Sequence, residues 1–217
     1  MNREWSELNK AMQEKLRKES TFADGLKDLF LLRNQLMDVL DSFGSEVSRE
    51  ELCAMPFPKA KGYHSKTIAY SLWHIFRIED IVAHTLIRGD EQVFFAGDYQ
   101  KRMGSPVVTT GNEMAGQEIA EFSEKLNLTE LYSYIREVKE STEGILRELS
   151  YRDLKKKIPV ERKEALLALG TVSTEESAAW LVDYWCHKDI EGLIRMPLSR
   201  HWIMHTEACL RIKGGIK

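Results

Sequence analysis

The stretch "SRHWIMHTEACLRIK", residues 199–213, has the apolar periodicity of a helix and carries His201 and His205 four residues apart. That spacing stacks two side chains on one helical face. With about 100° per residue, the flanking apolar residues fall within about 80° of His201; they are Leu198, Met204, Ala208, Cys209 and Ile212. The two imidazoles therefore lie near the middle of a buried face.

Two buried imidazoles without partners cost several kcal/mol, roughly, so they are expected either to hydrogen-bond within the core or to bind a metal. A metal site needs at least a third ligand, and catalytic sites usually have three protein ligands. The segment "YSLWHIFRIEDIVAHTLI", residues 70–87, supplies one, because His74 flanks the apolar stripe of this second helix. His84 falls with Arg77 and Asp80 on the polar face of this helix, which predicts that His84 is solvated.

Glu79 lies inside the apolar stripe of the same helix, an unusual place for a carboxylate. One interpretation is that it orients a ligand histidine through the other ring nitrogen. The alternative is that it pairs with a buried arginine or a water. Cys209 is read either as a soft fourth ligand or as a small buried hydrophobe. His64 is expected at the surface of a loop, and the face of His187 is not assigned.

The chain as a whole predicts an all-α protein, since it has only five prolines and long stretches rich in Leu, Glu, Lys, Ala and Ile. Gly44 and Gly89 are expected to end helices, and Thr129 and Thr174 to begin them. Residues 48–65 and 90–112 read as connections. The predicted helices cover residues 3–18, 21–44, 66–88, 113–124, 129–149, 163–169, 174–195 and 197–213.

Composition narrows the class of protein. The 217 residues fit a single domain, 1–217, in which residues 1–20 form an N-terminal helical extension. The net charge is −3 without a basic stripe, which argues against nucleic-acid binding. No apolar run has the length of a membrane span, and the polar start "MNREWSELNK" does not read as a signal peptide. Three widely spaced cysteines suit a reducing compartment, so a cytoplasmic protein is expected.

Three segments together resemble the DinB-like superfamily, which includes bacillithiol S-transferases and mycothiol-dependent maleylpyruvate isomerases. They are "SLWHIFRIEDIVAHTLI" (71–87), "FFAGDYQKRMGSPVVTTGNEMAGQEIAEF" (94–122) and "LVDYWCHKDIEGLIRMPLSRHWIMHTEACLRIK" (181–213). The resemblance spans most of the chain from about residue 22. It implies a DinB/YfiT-like four-helix bundle with additional short helices. It also implies a divalent metal, nickel or zinc, held by three histidines at the positions of His74, His201 and His205.

The expected function is that of a metal-dependent thiol S-transferase or isomerase acting on a small-molecule electrophile. Glu79 is the candidate for orienting a ligand, and Arg102 for contacting a carboxylate of the thiol, although a solvated arginine is the alternative. The 90–112 connection, with Phe94, Phe95 and Tyr99, is expected to wall the pocket.

Two other functions stay open at this point. One is metal-assisted hydrolysis with Glu79 as general base. The other is a non-enzymatic stress or scaffold protein whose metal site is closed by Cys209. A homodimer is also expected, because Ile203 and Leu210 lie opposite the histidine face of the last helix and need cover.

Overall fold

The computed structural model describes residues 2–216 and contains helices but no strand in that range; its one β-like contact is an isolated antiparallel bridge between Lys157 and Asp189. The α-helices are α1 (Arg3–Leu16), α2 (Phe22–Glu46), α3 (Arg49–Cys53), α4 (Ile68–Asp80), α5 (Val93–Ala96), α6 (Tyr99–Met103), α7 (Gln117–Lys125), α8 (Leu128–Glu148), α9 (Val160–Ala168), α10 (Glu176–Cys186), α11 (Ile190–Arg195) and α12 (His201–Gly215).

Two π-helical segments extend this set. Ile81–Arg88 continues α4, and Met196–Arg200 joins α11 to α12 without a loop. Short 3-10 turns occupy Glu19–Thr21, Gly62–His64 and Tyr151–Lys155. Residues 2–216 thus contain helices and no strand, which confirms the all-α prediction. No helix in that range is both long and apolar enough to cross a membrane.

The helices α2, α4, α8 and α12 pack against one another. α4 packs on α8 and α12, and α2 packs on the same two helices. Every residue of α4 is buried, so this helix lies at the centre of the protein. The buried side chains around it include Trp73, Phe76 and Trp202, and the rings of Phe76 and Trp202 meet edge to face at 4.6 Å.

The N-terminal helix α1 packs along α2. The side chain of Asn2 accepts a hydrogen bond from the backbone N–H of Trp5 and so begins the helix. Gly25 is required where the two helices meet, because a Cβ there would lie 2.9 Å from the backbone nitrogen of Leu16. α1 also borders Ile203 of α12, which is buried; of the two residues expected to need cover, only Leu210 is exposed.

Helix ends agree with the sequence where a backbone requirement sets them. Gly89 ends the 66–88 helix in the left-handed conformation (φ 78°), as predicted. The prediction that Gly44 stops a helix is wrong, since α2 continues to Glu46 and Gly44 instead lets the ring of Tyr132 approach. The predicted cap Thr129 is also wrong, because Asn127 accepts hydrogen bonds from the N–H groups of residues 129 and 130.

Other helix boundaries differ from the predicted ones because turns and short helices interrupt the predicted segments. The helix predicted from Thr174 to Arg195 is divided into α10 and α11 by the turn at 187–189. Asp189 begins α11 by accepting a hydrogen bond from the Gly192 N–H. The 90–112 connection holds the short helices α5 and α6, and α3 lies within the 48–65 stretch.

The prediction that His84, on the polar face with Arg77 and Asp80, is solvated is wrong. All three residues are buried. The carboxylate of Asp80 accepts hydrogen bonds from the backbone N–H groups of Val93 and Phe94, each at 2.9 Å. The chain after residue 90 thus folds back over this face and satisfies its charges.

The other two residues of that face are satisfied in the same way. Arg77 donates to the carbonyl of Val108 from Nε at 3.0 Å and from Nη2 at 2.8 Å. His84 is bonded to Asp90 (Nδ1–Oδ1, 2.7 Å) and to Ser141 of α8 (Nε2–Oγ, 3.0 Å). A polar face can therefore be interior when a later segment supplies partners.

A buried ion pair joins the central helices. Arg33 of α2 binds both carboxylate oxygens of Glu79 of α4, at 2.9 and 2.7 Å, and neither side chain is accessible to solvent. Nε of Arg33 contacts Glu143 of α8 at 3.4 Å, and Nη1 donates to the carbonyl of Leu198 at 3.1 Å. Trp202 of α12 donates to Glu79 at 2.7 Å. One guanidinium and one carboxylate thereby link α2, α4, α8 and α12.

Replacing Arg33 by Met is expected to lower the free energy of unfolding by about 3–5 kcal/mol, because the carboxylate of Glu79 stays buried without its counter-ion. Urea unfolding followed by circular dichroism measures the loss. The double variant Arg33→Met/Glu79→Leu is expected to regain part of it. The exposed pair Arg136–Asp41 serves as control, since Arg136→Ala is expected to cost less than about 1 kcal/mol. A similar small loss for Arg33→Met would contradict this assignment.

Candidate metal centre

His74 projects from the second turn of α4, a helix begun by the hydroxyl of Thr67, which accepts a hydrogen bond from the Tyr70 N–H. Its Nδ1 lies 2.6 Å from the carbonyl oxygen of Thr110. Because a carbonyl only accepts, Nδ1 carries the proton and Nε2 keeps its lone pair. This is the arrangement in which a histidine binds a metal through Nε2 while its other nitrogen is held by the protein.

His201 and His205 stand one turn apart at the start of α12, immediately after the π-helical segment. Their ring centroids are 4.5 Å apart, and the ring of His74 lies 5.2 Å from His201 and 4.9 Å from His205. The candidate ligand nitrogens of the three residues all lie within 4.8 Å of one another. One ion can bind all three after small ring rotations.

The histidines lack protein partners on the sides that meet. Nδ1 of His201 and both ring nitrogens of His205 are buried without a hydrogen bond. An unpaired buried polar atom costs about 1–3 kcal/mol, so three in one place need an explanation. A divalent metal would take one lone pair from each ring, and the other nitrogen of His205 carries its proton. The residues present therefore fit such an ion.

Burial keeps the three imidazoles neutral. It lowers the pKa of His74 to about 4, with the nearby charge of Lys66 acting in the same direction against the hydrogen bond to Thr110. The pKa values of His201 and His205 are lowered well below the usual range, mainly by burial and further by the neighbouring histidines. Neutral imidazoles are the ligand form, so protons do not compete for the site at neutral pH.

Two tyrosines border the histidines. The ring of Tyr70 stacks on His74 at 5.4 Å, and the ring of Tyr63 meets His205 edge to face at 4.5 Å. Tyr70 also donates from its hydroxyl to the carbonyl of Gly111 at 2.8 Å. Gly111 has a positive φ of 75°, and a Cβ there would lie 2.6 Å from the ring of Trp73. Glycine thus lets the loop approach closely enough for Thr110 to hold His74.

A cavity of about 220 Å³ opens beside His74 and His201. α10 forms one wall with four residues, Trp180, Leu181, Tyr184 and Trp185. Ile78 of α4 and the π-helical residues Met196 and Pro197 add apolar surface. Tyr63 and Asn112 complete the lining, and Oδ1 of Asn112 is buried without a hydrogen bond.

Sequence reasoning identified His74, His201 and His205, and the structure brings these three together. For Glu79 it left two interpretations, and the hydrogen bonds match the second: Glu79 pairs with a buried arginine, Arg33, and none of its hydrogen bonds reaches a histidine. It acts on the site indirectly, by holding Trp202 beside His201.

Three further expectations are not met. Phe94 and Tyr99 do not line the cavity, since Phe94 stacks under the guanidinium of Arg77 and Tyr99 bonds to Glu137. Phe95 is likewise absent from the wall. The 90–112 connection reaches the site through Asn112 and through the Thr110 carbonyl instead.

The other candidate residues lie apart from the histidines. Arg102 is partly exposed and paired with Glu130 at 2.7 Å, and it does not line the cavity. Cys209 is buried outside the three-histidine group; burial raises its pKa to about 12, against a hydrogen bond to Ser71 that lowers it. His187 is exposed, and His64 is partly buried in the Gly62–His64 turn.

The aromatic wall on α10 was missed. Its residues follow the helical spacing i, i+4 and i+5 in "WLVDYW", 180–185, a pattern that sequence reasoning assigns to core packing as readily as to a pocket. The Thr110 carbonyl carried no sequence signal at all, because any residue supplies a backbone oxygen.

Comparison with known proteins gives no family assignment: no protein-family model matches the chain, and no curated protein matches it. The interpretation of the site therefore rests on its geometry and chemistry.

Acid is expected to destabilise the metal-free protein through these histidines. An unfolded histidine has a pKa near 6.5, whereas that of folded His74 is about 4. The unfolded chain binds the proton first, so this stability is complete above pH 6.5 and is lost as the pH falls toward 4. At about 1.4 kcal/mol per pKa unit, His74 contributes about 3 kcal/mol.

Urea unfolding in the presence of a chelator, repeated across that pH range, measures the effect. His74→Gln is expected to flatten the pH dependence because glutamine does not titrate. The matched variant of an exposed histidine, His187→Gln, should keep the slope of the wild type. Equal slopes for all three proteins would show that His74 is not held neutral by the fold.

Proposed function

We propose that this protein is a metal-dependent thiol S-transferase or isomerase acting on small electrophiles, built on a DinB/YfiT-like four-helix bundle. The bundle helices would be α2, α4, α8 and α12. Their mutual packing supports this assignment, since α2 and α4 each contact both α8 and α12. The position of the histidines supports it as well: one lies on α4 and two lie on α12.

The observation that carries the proposal is the convergence of three buried histidines, two of them with unpaired ring nitrogens, beside a cavity. His74, His201 and His205 would hold nickel or zinc. Among residues 2–216, no fourth His, Cys, Asp or Glu joins this group. Structural zinc sites usually have four protein ligands, whereas catalytic sites keep a position open for substrate or water. A three-histidine site next to a cavity fits the second class.

A bound divalent metal supplies Lewis acidity, which lowers the pKa of a thiol or a water. The protein residues would position the ligands and bind the small molecule. Thr110 fixes the tautomer of His74, and the Arg33–Glu79 pair holds Trp202 and hence the first turn of α12. The cavity walls bring a small molecule next to the histidines and limit its access to water.

Lys66 replaces Arg102 as the proposed contact for an anionic group of the thiol. Its charge acts on both His74 and His205, and its ammonium lies 5.0 Å from the centre of the Tyr70 ring that stacks on His74. Its only acceptor is the carbonyl of Met114 at 3.3 Å, with no carboxylate paired to it in the described chain. Burial lowers its pKa. A carboxylate or thiolate bound here would pair this cation.

The two alternative functions are less well supported. Hydrolysis with Glu79 as general base conflicts with the three hydrogen bonds that already occupy its carboxylate. A closed structural site conflicts with the position of Cys209, which lies outside the histidine group.

Metal content tests the proposal. Elemental analysis of protein purified without an affinity tag is expected to find about one equivalent of zinc or nickel, because one ion satisfies three histidines. His201→Ala should lose most of it, while His187→Ala, the variant of an exposed histidine, should retain it. Cys209→Ala is expected to retain it as well; a loss there would favour the closed structural site. Folded wild-type protein that takes up neither ion would overturn the proposal.

Thiol binding tests the role of Lys66. Cobalt-substituted protein is expected to develop a sulfur-to-cobalt charge-transfer band when 2-mercaptoethanol or 3-mercaptopropionate is added. Lys66→Met should weaken binding of 3-mercaptopropionate about fivefold to tenfold, since only that thiol carries a carboxylate for the charge-assisted contact. Binding of 2-mercaptoethanol should change less, and Lys61→Met, at an exposed lysine, should affect neither. Equal effects on both thiols would remove Lys66 from carboxylate recognition.

A further inference from the structure

The cavity beside His74 and His201 has no Asp, Glu, Lys or Arg in its lining, and Lys66 lies outside that lining. In the metal-free protein a charged ligand group placed there would lose its hydration without gaining a charged side chain as partner, which costs far more than burial of a neutral polar group. The lining therefore selects against ions.

The size of the cavity sets the size of its ligand. An apolar cavity of about 150 Å³ is large enough to bind benzene. The present cavity, at about 220 Å³, has room for one six-membered ring with a small substituent. It is smaller than typical sites for drug-sized molecules, which begin at about 300 Å³.

The walls match a flat ring. Trp180 lies at the rim, 51% exposed, and its ring meets that of Tyr184 at 5.5 Å and 67°. The indole N–H of Trp180 is already bonded to the carbonyl of Ser177. Its remaining surface is therefore apolar, and aromatic faces and edges of this kind favour stacked or edge-on contacts with another ring.

One polar atom of a lining residue lacks a hydrogen-bond partner. Oδ1 of Asn112 is buried and lacks a hydrogen bond. This oxygen accepts, so a ligand hydroxyl could donate to it, while the NH2 group of the same amide can donate to a ligand carbonyl. Tyr63 adds a hydroxyl to the same lining.

From these observations we infer that the cavity binds a small, uncharged, ring-containing molecule that carries one neutral polar group such as a ketone or aldehyde. The inference rests on the proposed function for the role of this molecule as the electrophilic substrate. The binding site itself is formed by the chain and does not require the metal. The charged part of a thiol would be recognised by Lys66, and the uncharged partner would occupy the cavity.

The test compares two ligands with the same number of heavy atoms, 4-fluoroacetophenone and 4-fluorobenzoate. Fluorine NMR titration of the full-length protein, as purified and after chelator treatment, gives their affinities. In chelated protein the ketone is expected to bind about tenfold or more tightly than the carboxylate, because burial of the unpaired carboxylate is disfavoured. The chelated sample matters because a carboxylate can also bind a metal directly.

Two variants locate the binding. Trp180→Ala should weaken binding of the ketone severalfold, whereas Leu31→Ala, at a position that is 50% exposed on α2, should leave it unchanged. Asn112→Ala should reduce the preference for 4-fluoroacetophenone over fluorobenzene. Equal or tighter binding of the carboxylate in chelated protein, or ketone binding unaffected by Trp180→Ala, would overturn the inference. Folded wild-type protein that takes up neither zinc nor nickel when these ions are supplied, yet still selects the ketone, would refute the proposed function alone.

Discussion

The ion pair between Arg33 and Glu79 is the constraint on which the interior depends. Two unscreened charges inside a helical core are stable only if each is fully paired, and this pairing fixes how α2 lies against α4. Glu79 also accepts from Trp202, whose ring lies 4.3 Å from the guanidinium carbon of Arg33. The position of α12, and with it the first turn that carries His201, is therefore tied to the same two side chains.

The π-helical segment before α12 belongs to this arrangement. A π-helix changes the register of the backbone and is common beside functional sites. Here the carbonyl of Leu198, within Met196–Arg200, accepts from Arg33 at 3.1 Å. The same segment lines the cavity through Met196 and Pro197. The change of register, the carbonyl that Arg33 binds and part of the cavity wall thus all lie in the five residues before His201.

The sequence could predict those parts of the site that follow from helical periodicity. His201 and His205 share a face because they are four residues apart, and His74 is inward because it borders an apolar stripe. Periodicity also marked Glu79 as out of place, but it could not identify Arg33, 46 residues away, as the partner. The solvated position predicted for His84 is wrong because a later segment folds back over the polar face that it shares with Arg77 and Asp80. Long-range packing of this kind leaves no local pattern.

Under the proposed function, the charges around the site favour two substrates of unlike charge. Lys66 is a partly buried cation without a carboxylate partner, and its field acts on His74 and His205. The cavity beside His74 and His201 has an uncharged lining. In the proposed function an anionic thiol would pair Lys66, which a neutral ligand would leave without a counter-ion. A neutral electrophile would suit the cavity, whose side chains offer an anion no cation of their own.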